Sequence, residues 1–340
     1  MNLLAPFGVA YGAAMQFRSW LYDRGLLSQY SLGRKTICVG NLTVGGTGKT
    51  PVTRHIAEIF ANAGLRPCIL TRGYGRREPS RRVVVSGPDG IIENSDLSGD
   101  EPLELARELK EKAIIIADPD RVAAARFAID QFAPDLFLLD DGFQHLRVTR
   151  DLNLLLIDAT NPFDNDYPLP AGTLRECPRA IARADAILIT RTEIAGDLQP
   201  LKDSIRRHNS RVPIFEAAFV IKGFRPLANR QALVNAAEIV GPKVLAFCGI
   251  ANPKAFQLLL EKYSVRAAEL LVFDDHQRYS ASQIAAIRAA AKKIGADALI
   301  TTEKDAVKLS GSDFSIPCYS ARIEVAVSPE AAFHRLLLAF

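Results

Sequence analysis

A glycine-rich segment between an apolar run and an amphipathic stretch places the strongest constraint on how this chain folds. NLTVGGTGKTP spans Asn41 to Pro51, directly after the apolar residues 36–39. Glycine lets backbone N–H groups approach an anion without a clash from Cβ, and the N-terminus of a following helix attracts negative charge. The order strand, loop, helix therefore predicts a phosphate-binding site at the carboxyl end of a buried strand.

The segment departs from the strict pattern G-x-x-x-x-G-K-[ST], because Thr43 stands where that pattern has glycine. Three glycines inside the loop restore much of the backbone freedom. We expect Lys49 to reach the terminal phosphates of a bound nucleotide and the hydroxyl of Thr50 to ligate Mg²⁺. The predicted nucleotide-binding residues are Thr43, Val44, Gly45, Gly46, Thr47, Gly48, Lys49 and Thr50.

Solid apolar runs alternate with amphipathic stretches, which predicts a P-loop NTPase-like α/β fold with a mostly parallel sheet and helices on both faces. In the first half, the predicted strands are 36–39, 67–71, 113–117, 136–140, 152–158 and 186–190, and the helices are 50–63, 101–110, 121–132 and 178–184. In the second half, the predicted strands are 244–248, 270–273 and 298–301, and the helices are one from residue 253 and one over 281–294.

At 340 residues the chain is long for one hydrophobic core, so we expect two domains. We assign 1–25 to an apolar N-terminal helix and 26–212 to the domain with the phosphate loop. A second, smaller α/β domain with connector strands covers 213–327, and 328–340 forms a C-terminal helix that Ser328 and Glu330 are expected to cap.

Two adjacent acids end a predicted strand in PDLFLLDDGFQH, and a phosphate-loop enzyme needs a carboxylate near its metal at such a strand end. Asp140 or Asp141 is expected to help hold Mg²⁺, and its neighbour to contact metal, water or acceptor. The alternative is a strand that simply ends in solvated acids. Because the two acids are adjacent at the end of a buried strand, we favour the functional interpretation over solvated acids.

Asp100 lies in LSGDEPLELAREL, where Ser98 and Glu101 match a capping box that would place it in the first turn of a helix. Helix capping alone would explain it. His276, in VFDDHQRYS, is a candidate proton acceptor because imidazole titrates near neutral pH, although it could be a histidine of a surface loop. No spacing rule links the two residues.

The basic run TRGYGRREPSRR follows another predicted strand. Arginine forks match phosphate oxygens, so we expect Arg72 and Arg76 to bind an anionic group of the substrate. A solvated charged loop is the alternative. Aromatic residues are not regularly interleaved, and the net charge of +4 is small for this length, so nucleic acid is a poor second candidate.

The N-terminal residues MNLLAPFGVAYGAAMQFRSWLYDRGLL lack the basic start and the cleavage site of a signal peptide. The apolar stretch is interrupted by proline and glycine and stops at Arg18, which makes it marginal for a bilayer span. Aromatic side chains interleaved with arginine suit the membrane–water interface, whereas packing on the chain's own domain is the alternative. The five cysteines are scattered without a CxxC pair, so we expect reduced thiols in a cytosolic compartment.

Six segments, taken together and in order, resemble the tetraacyldisaccharide 4'-kinase family, the lipid A 4'-kinases of Gram-negative bacteria. They are VGNLTVGGTGKTP, LTRGYGR, SGDEP, DDGFQH, LPAGTLREC and FDDHQRYS. The departure at Thr43 fits this resemblance, since the family's loop is similar. The resemblance implies transfer of the γ-phosphate of ATP, with Mg²⁺, to the 4'-hydroxyl of a tetraacylated glucosamine disaccharide 1-phosphate.

Carried over by motif, the resemblance implies that Lys49 and Thr50 serve nucleotide and metal. It assigns Asp140 to the metal and Asp141 to the reacting groups, and pairs Asp100 with His276 to activate the acceptor hydroxyl. It also implies the cytoplasmic face of the inner membrane, reached peripherally or through one N-terminal anchor, with no obligate protein partner.

The alternative function is a soluble P-loop ATPase or GTPase that acts as a switch or chaperone. The loop lacks the additional lysine of KGGxGK[ST] ATPases, because Val44 occupies that position. The chain also shows no NKxD-type guanine signature, so this reading is the lesser one.

Overall fold

The computed structural model describes residues 3–92, 94–163, 166–230, 232–239, 243–275, 277–309 and 314–339. Its strands are β1 (Lys35–Asn41), β2 (Pro67–Thr71), β3 (Val83–Gly87), β4 (Gly90–Ile91), β5 (Ile114–Ala117), β6 (Leu136–Asp140), β7 (Leu152–Asp158), β8 (Ala186–Thr190), β9 (Ile214–Pro226), β10 (Val244–Cys248), β11 (Ala267–Val272), β12 (Ala298–Thr302) and β13 (Cys318–Ser328).

The α-helices are α1 (Ala5–Asp23), α2 (Lys49–Asn62), α3 (Ser95–Ser98), α4 (Asp100–Leu109), α5 (Arg121–Phe132), α6 (Gln199–His208), α7 (Pro253–Lys262), α8 (Ala281–Ile294), α9 (Glu303–Ala306) and α10 (Glu330–Leu338). Short 3-10 helices cover Lys110–Lys112, Pro178–Arg183, Thr192–Ile194 and Ala236–Glu238. The segment 178–184, predicted as an α-helix, is therefore a 3-10 helix.

All thirteen strands of the described ranges belong to one sheet, in the order β11-β10-β12-β13-β9-β8-β7-β1-β6-β2-β5-β3-β4. Pairing is parallel except for β9 with β13, β3 with β5 and β3 with β4. The mostly parallel α/β class predicted from sequence is confirmed. The parallel strands end at one edge, which is where ligands bind in folds of this kind.

Helices cover both faces of the sheet, as predicted. Along β1, Ile37 and Val39 contribute to one hydrophobic cluster and Cys38 to the other, because successive side chains of a strand alternate between faces. Ile56 of α2 packs into the first cluster and Ala125 of α5 into the second. The sheet is therefore buried on both sides, which explains why its strands are solid apolar runs.

The antiparallel pair β9 and β13 joins the two halves of the chain. β9 pairs with β8 on one side through Ile187 and Ile214, and with β13 on the other side over most of its length. The predicted boundary at residue 213 thus falls just before a strand that belongs to the common sheet. One hydrophobic cluster also contains residues of both halves, such as Val52 and Leu260.

Helix α1 packs against the segment 168–177 through glycine. A Cβ at Gly8 would lie 2.8 Å from the Pro168 carbonyl oxygen, and one at Gly12 would lie 3.1 Å from Cys177 Sγ. Its remaining surface is apolar and open, with Phe7 64% and Phe17 60% exposed. Within the described parts of the chain, no helix has both the length and the hydropathy needed to cross a bilayer.

The C-terminal helix packs on the half that carries the phosphate loop as well as on β13. The His334 ring of α10 lies 6.5 Å from the His55 ring of α2, centroid to centroid. Phe333 of α10 is fully buried, and its ring meets that of Phe215 of β9 edge-on with centroids 5.2 Å apart. The predicted cap at Ser328 is wrong, because Ser328 ends β13 and Pro329 precedes the first turn without a side-chain cap.

Candidate active site

A cavity of about 1030 Å³ opens at the carboxyl edge of the sheet, where both halves of the chain meet. The phosphate loop and Asp141 line it from the first half, and Asp275 and Glu303 line it from the second. The ends of several parallel strands converge there, so Lys49, Arg72 and Asp141, which belong to separate motifs, are brought to one place.

The phosphate loop has the backbone that its glycines permit. Gly45 and Gly48 have φ angles of 118° and 85°, and Gly48 caps α2 in the left-handed conformation. Thr190 Oγ1 donates a hydrogen bond of 2.9 Å to the Thr47 carbonyl, and Arg191 donates to the Gly46 carbonyl. The end of β8 therefore holds the loop in place.

Six of the eight predicted nucleotide-binding residues line the cavity, namely Val44, Gly45, Gly46, Gly48, Lys49 and Thr50. Thr43 is buried instead and accepts hydrogen bonds from Asn41 Nδ2 at its carbonyl (2.9 Å) and its Oγ1 (3.2 Å). The hydrogen bond to this hydroxyl is a structural reason for threonine at position 43. Thr47 is also buried, and its carbonyl accepts the hydrogen bond from Thr190.

Lys49 connects the loop to the strand-end acids. Its Nζ lies 3.5 Å from Asp141 Oδ1 and donates to Asn41 Oδ1 at 3.2 Å. Arg175 Nη1 contacts both oxygens of Asp141, at 3.0 and 2.8 Å. Two cations therefore hold one carboxylate beside the phosphate loop.

Asp141 is built into the site by its backbone as well as by charge. Its φ of 52° lies in the left-handed region, which aspartate tolerates better than most residues. Burial alone would raise the pKa of Asp141, but Lys49 and Arg175 outweigh it and hold the pKa below its ordinary value. Asp141 is therefore ionised at neutral pH.

Asp140 lies deeper, only 1% exposed, behind the surface of the cavity. Thr53 Oγ1 and Thr71 Oγ1 each donate to its carboxylate at 3.2 Å. Burial, with the charges of Glu101 and Asp141, raises the pKa of Asp140 to about 7. Of the two adjacent acids, Asp141 is the one whose side chain borders the cavity.

The residues near Lys49 fit Mg²⁺ held together with nucleotide phosphates. Thr50 and Asp141 both line the cavity, and Asp140 is adjacent in sequence. No group of three or more His, Cys, Asp or Glu side chains with metal-binding geometry occurs where the chain is described. Mg²⁺ commonly takes one or two carboxylates and completes its shell with water and phosphate oxygens, and this donor set matches that habit.

Asp100 is the first residue of α4, but the predicted capping box is wrong. Gly99, with φ 87°, precedes the helix, and Ser98 instead ends α3 with its Oγ donating to the Asn94 carbonyl at 2.7 Å. The carboxylate of Asp100 lies 3.6 Å from Lys308 Nζ. It is therefore held toward the second half of the chain.

The predicted partner of Asp100, His276, lies outside the described residues. Its neighbour Asp275 accepts from Lys304 Nζ at 3.0 Å, and the same ammonium group donates to Glu101 at 3.3 Å. Lys304 therefore ties the start of α4 to the segment that leads into residue 276.

The two arginines predicted to bind substrate differ in position. Arg72 is exposed, lines the cavity and lies over the ring of Tyr74, with Cζ 5.3 Å from its centroid. Arg76 is 6% exposed and donates to the carbonyls of its own loop and of Ala117. Because these carbonyls occupy the Arg76 guanidinium, we correct its assignment from substrate binding to loop structure.

A basic wall near α1 was missed in the sequence. Arg18, Arg121 and His145 line the cavity on the side of Arg72. Burial and the charges of Arg121 and Arg150 lower the pKa of His145 to about 4, so this imidazole is neutral at pH 7. The ending of the DDGFQH motif at His145 was the available signal.

A buried ionic cluster supports the floor of the cavity between α2, α4 and β13. Arg54 lies 3.6 Å from Glu108 and 3.7 Å from Glu303, and Arg322 also contacts Glu108. Glu104 lies among these acids, and its burial raises its pKa to about 8, with a contribution from Glu303. Its carboxyl group is therefore mostly protonated at neutral pH.

Comparison with known proteins identifies the family to which this chain belongs. The family model described as tetraacyldisaccharide-1-P 4'-kinase matches residues 1–340. The tetraacyldisaccharide 4'-kinase of Desulfotalea psychrophila is 38% identical over 337 residues, covering 98% of this chain and 94% of the relative. That of Pelobacter propionicus is 41% identical over 312 residues, covering 92% and 84%.

A solved structure agrees with the sequence comparisons. The crystal structure of the "apo" form of LpxK from Aquifex aeolicus, in complex with ATP, superposes with a TM-score of 0.78 at 29% identity. The match covers 99% of this chain and 98% of that one. With a family model matched from end to end and relatives of nearly equal length, the chain belongs to the tetraacyldisaccharide 4'-kinase family.

Proposed function

We propose that this chain transfers the γ-phosphate of ATP to the 4'-hydroxyl of a tetraacylated glucosamine disaccharide 1-phosphate, a step of lipid A biosynthesis. The observation that carries the proposal is the contact of Lys49 with Asp141 at the mouth of a cavity shared by both halves. The family assignment favours this kinase over a soluble switch ATPase or GTPase.

The phosphate loop binds and orients the nucleotide. The loop glycines and the N-terminus of α2 line the cavity, where backbone N–H groups would attract phosphate oxygens. Lys49 places a positive charge beside the group that is transferred. Thr50 with Asp140 or Asp141 would hold Mg²⁺, which would supply positive charge to the phosphate oxygens.

Asp100 and His276 act together on the acceptor. The general base removes the proton of the 4'-hydroxyl as the oxygen attacks the γ-phosphorus, and ADP leaves with the bond electrons. The contact of Lys304 with both Glu101 and Asp275 supports the pairing, since it links the segments that carry the two residues. Arg72, exposed in the cavity, binds an anionic group of the acceptor.

The acceptor is a lipid, so the enzyme works at a membrane surface. Helix α1 presents exposed apolar side chains, among them Phe7 and Trp20, next to the basic wall of the cavity. Aromatic and aliphatic side chains of this kind insert into the interfacial region of a bilayer. We assign the protein to the cytoplasmic face of the inner membrane as a peripheral enzyme.

The kinase proposal is tested with radiolabelled ATP and the acylated disaccharide 1-phosphate in mixed micelles. Lys49→Met should lose at least about 10²-fold in kcat, because the transferred group loses a positioned charge. Lys222→Met is the matched control, since Lys222 pairs with Glu324 on the surface, 3.6 Å away. No lipid phosphorylation by the unchanged protein, or near-normal turnover of the Lys49 variant, would disprove the proposal.

The proposed base is tested by a double-mutant series. Asp100→Asn and His276→Ala should each lower kcat about 10²-fold or more. The kcat of the double variant should be little lower than that of the less active single variant, because losses of kcat are not additive for groups that act as a unit. Losses that multiply would assign the two residues independent roles.

The membrane proposal is tested by vesicle flotation of the chain without residues 1–17. The fraction bound to anionic vesicles should fall, and the apparent KM for membrane-presented lipid should rise. Equal flotation of a correctly folded truncated chain would assign α1 to packing alone.

A further inference from the structure

The cavity continues past the phosphate loop into an apolar compartment whose wall comes from the second half of the chain. Phe219 of β9 and residues of the segment that leads into and forms α7 line it, and this wall consists of Ile250, Ala251, Ala255, Phe256 and Leu259. A Cβ built at Gly45 would lie 3.4 Å from Ala251 Cβ, so the compartment adjoins the loop directly. Apolar walls beside a phosphate site suit the faces of a planar base.

Glu193 is an acid of the cavity that is fixed close to the phosphate loop. Glu193 lies two residues after Arg191, which donates to the Gly46 carbonyl and contacts Asp158. The 3-10 helix Thr192–Ile194 that carries Glu193 is therefore fixed relative to the phosphate loop. Glu193 lines the same cavity as the loop.

The two carboxylate oxygens of Glu193 have different surroundings. Oε2 accepts a hydrogen bond of 2.9 Å from the Phe219 backbone N–H. Oε1 is buried and has no hydrogen-bond partner among the residues that the structure describes. Leaving a buried acceptor unpaired is unfavourable, so this oxygen is one that a bound donor would satisfy.

The backbone of Glu193 is also held in position from a second direction. Lys262, at the end of α7, donates from Nζ to the Glu193 backbone carbonyl at 3.0 Å. The segment is thus tied both to the phosphate loop and to the helix that forms the apolar wall. A carboxylate fixed this way can distinguish ligands by the group they present to it.

We propose that Glu193 selects adenine, by accepting a hydrogen bond at Oε1 from the 6-amino group of the ATP base. This inference rests on the proposed ATP-dependent function and names the residue that reads the base. Guanine carries a carbonyl oxygen at the same ring position, so two acceptors would face each other in the apolar compartment. Such opposition disfavours GTP even where the ring itself fits.

The test is equilibrium binding to the full chain with Mg²⁺ and no lipid, by displacement of a fluorescent ATP analogue. The nucleotides are ATP, GTP and purine riboside triphosphate, which lacks the 6-amino group. The unchanged protein should bind ATP about 10-fold more tightly than purine riboside triphosphate, which corresponds to about 1.4 kcal/mol. In Glu193→Ala this ratio should fall to about one.

Glu193→Gln gives a second, milder variant. Its amide keeps the acceptor and adds a donor, so GTP should gain affinity while ATP loses little. Glu216→Gln is the matched control, because Glu216 lies on the same strand as Phe219 but pairs with Lys202 at 2.6 Å, away from the cavity. This control should keep both nucleotide ratios.

The outcomes separate the two proposals. A protein that binds no ATP would overturn the kinase function and the role of Glu193 together. ATP binding with no preference for the 6-amino group would overturn only the role of Glu193. So would an unchanged ratio of ATP to GTP affinity in Glu193→Gln, which decides the matter even if Glu193→Ala fails to fold.

Discussion

The contact of Arg175 with Asp141 provides a quantitative test of how the site is held together. Arg175→Met removes the cation and keeps a side chain of similar length, leaving Asp141 with Lys49 Nζ at 3.5 Å. The Asp141 side chain is only 11% exposed. Removing one partner of a buried pair costs about 3–5 kcal/mol, and because Lys49 remains we expect about 3 kcal/mol.

This loss converts into a measurable melting temperature. At about 2 cal/mol/K per residue, 340 residues have an unfolding entropy of about 0.7 kcal/mol/K. A loss of about 3 kcal/mol therefore lowers Tm by about 4 °C at pH 7, measured by scanning calorimetry. Arg179→Met is the control, because Arg179 is exposed in the same segment and should leave Tm unchanged.

The effect should depend on pH with a definite sign. The pKa of Asp141 is lowered in the folded chain, so pairing stabilises the fold above the pKa of a free aspartate, about 3.9. This contribution disappears as the pH falls through the lowered pKa of the folded state. The difference in Tm between the unchanged chain and Arg175→Met should therefore be about 4 °C at pH 7 and should decrease as the pH is lowered below about 3.9.

A double variant decides whether the charge pair is responsible. Asp141→Asn keeps a residue that tolerates the φ of 52° and removes the charge that Arg175 neutralises. Arg175→Met combined with Asp141→Asn should recover most of the lost Tm. A single Arg175 variant within about 1 °C of the unchanged chain, or losses that add in the double variant, would refute the reasoning.

Three further predictions concern the loop, the core and the ionic cluster. Gly48→Ala should weaken ATP binding at least about 10-fold, because its Cβ would lie 2.2 Å from a ring carbon of Phe219. Gly64→Ala is the control in the same titration and should bind ATP normally, because Gly64 has a similar φ but no atom within 4 Å of an added Cβ. Phe333→Ala should lower the free energy of unfolding in urea by about 3–5 kcal/mol, since the ring is fully buried, and a loss below about 1 kcal/mol would contradict this. Glu104→Gln should be more stable than the unchanged chain at pH 9 but not at pH 4. The pKa of Glu104 is raised to about 8 in the folded chain, so the stability of the unchanged chain falls as the pH rises from the ordinary glutamate pKa to about 8. Equal melting temperatures of the two proteins at pH 9 would contradict this prediction.

Strands that are continuous apolar runs up to their last residue were predictable from the sequence. β2, β6 and β8 begin and end at the predicted residues, because both faces of the sheet are covered and no alternation obscures the run. β13 was not predicted as a strand of its own, since Arg322 and Glu324 interrupt its apolar residues. These charges face the ionic cluster and β9, which are contacts between distant parts of the chain.

The site was predictable where a motif carries its own geometry. Lys49 and Asp141 meet as expected, because a phosphate loop and a neighbouring strand end share one edge of a parallel sheet. Arg175 lies in the quoted segment LPAGTLREC, but its role was missed because it depends on Asp141, 34 residues away. Glu193 was missed because it belongs to no quoted motif and its place depends on Phe219. The cap at Ser98 failed because Gly99 separates two short helices there.

The position of β9 in the middle of the sheet affects how the chain folds during synthesis. β9 covers the edge of β8 soon after it forms, but its own second edge is covered only by β13, about 90 residues later. At about 5–20 residues per second, a nascent chain keeps this edge open for roughly 5–20 s. An open strand edge can pair with another chain, so products truncated before residue 318 should aggregate rather than remain as folded fragments.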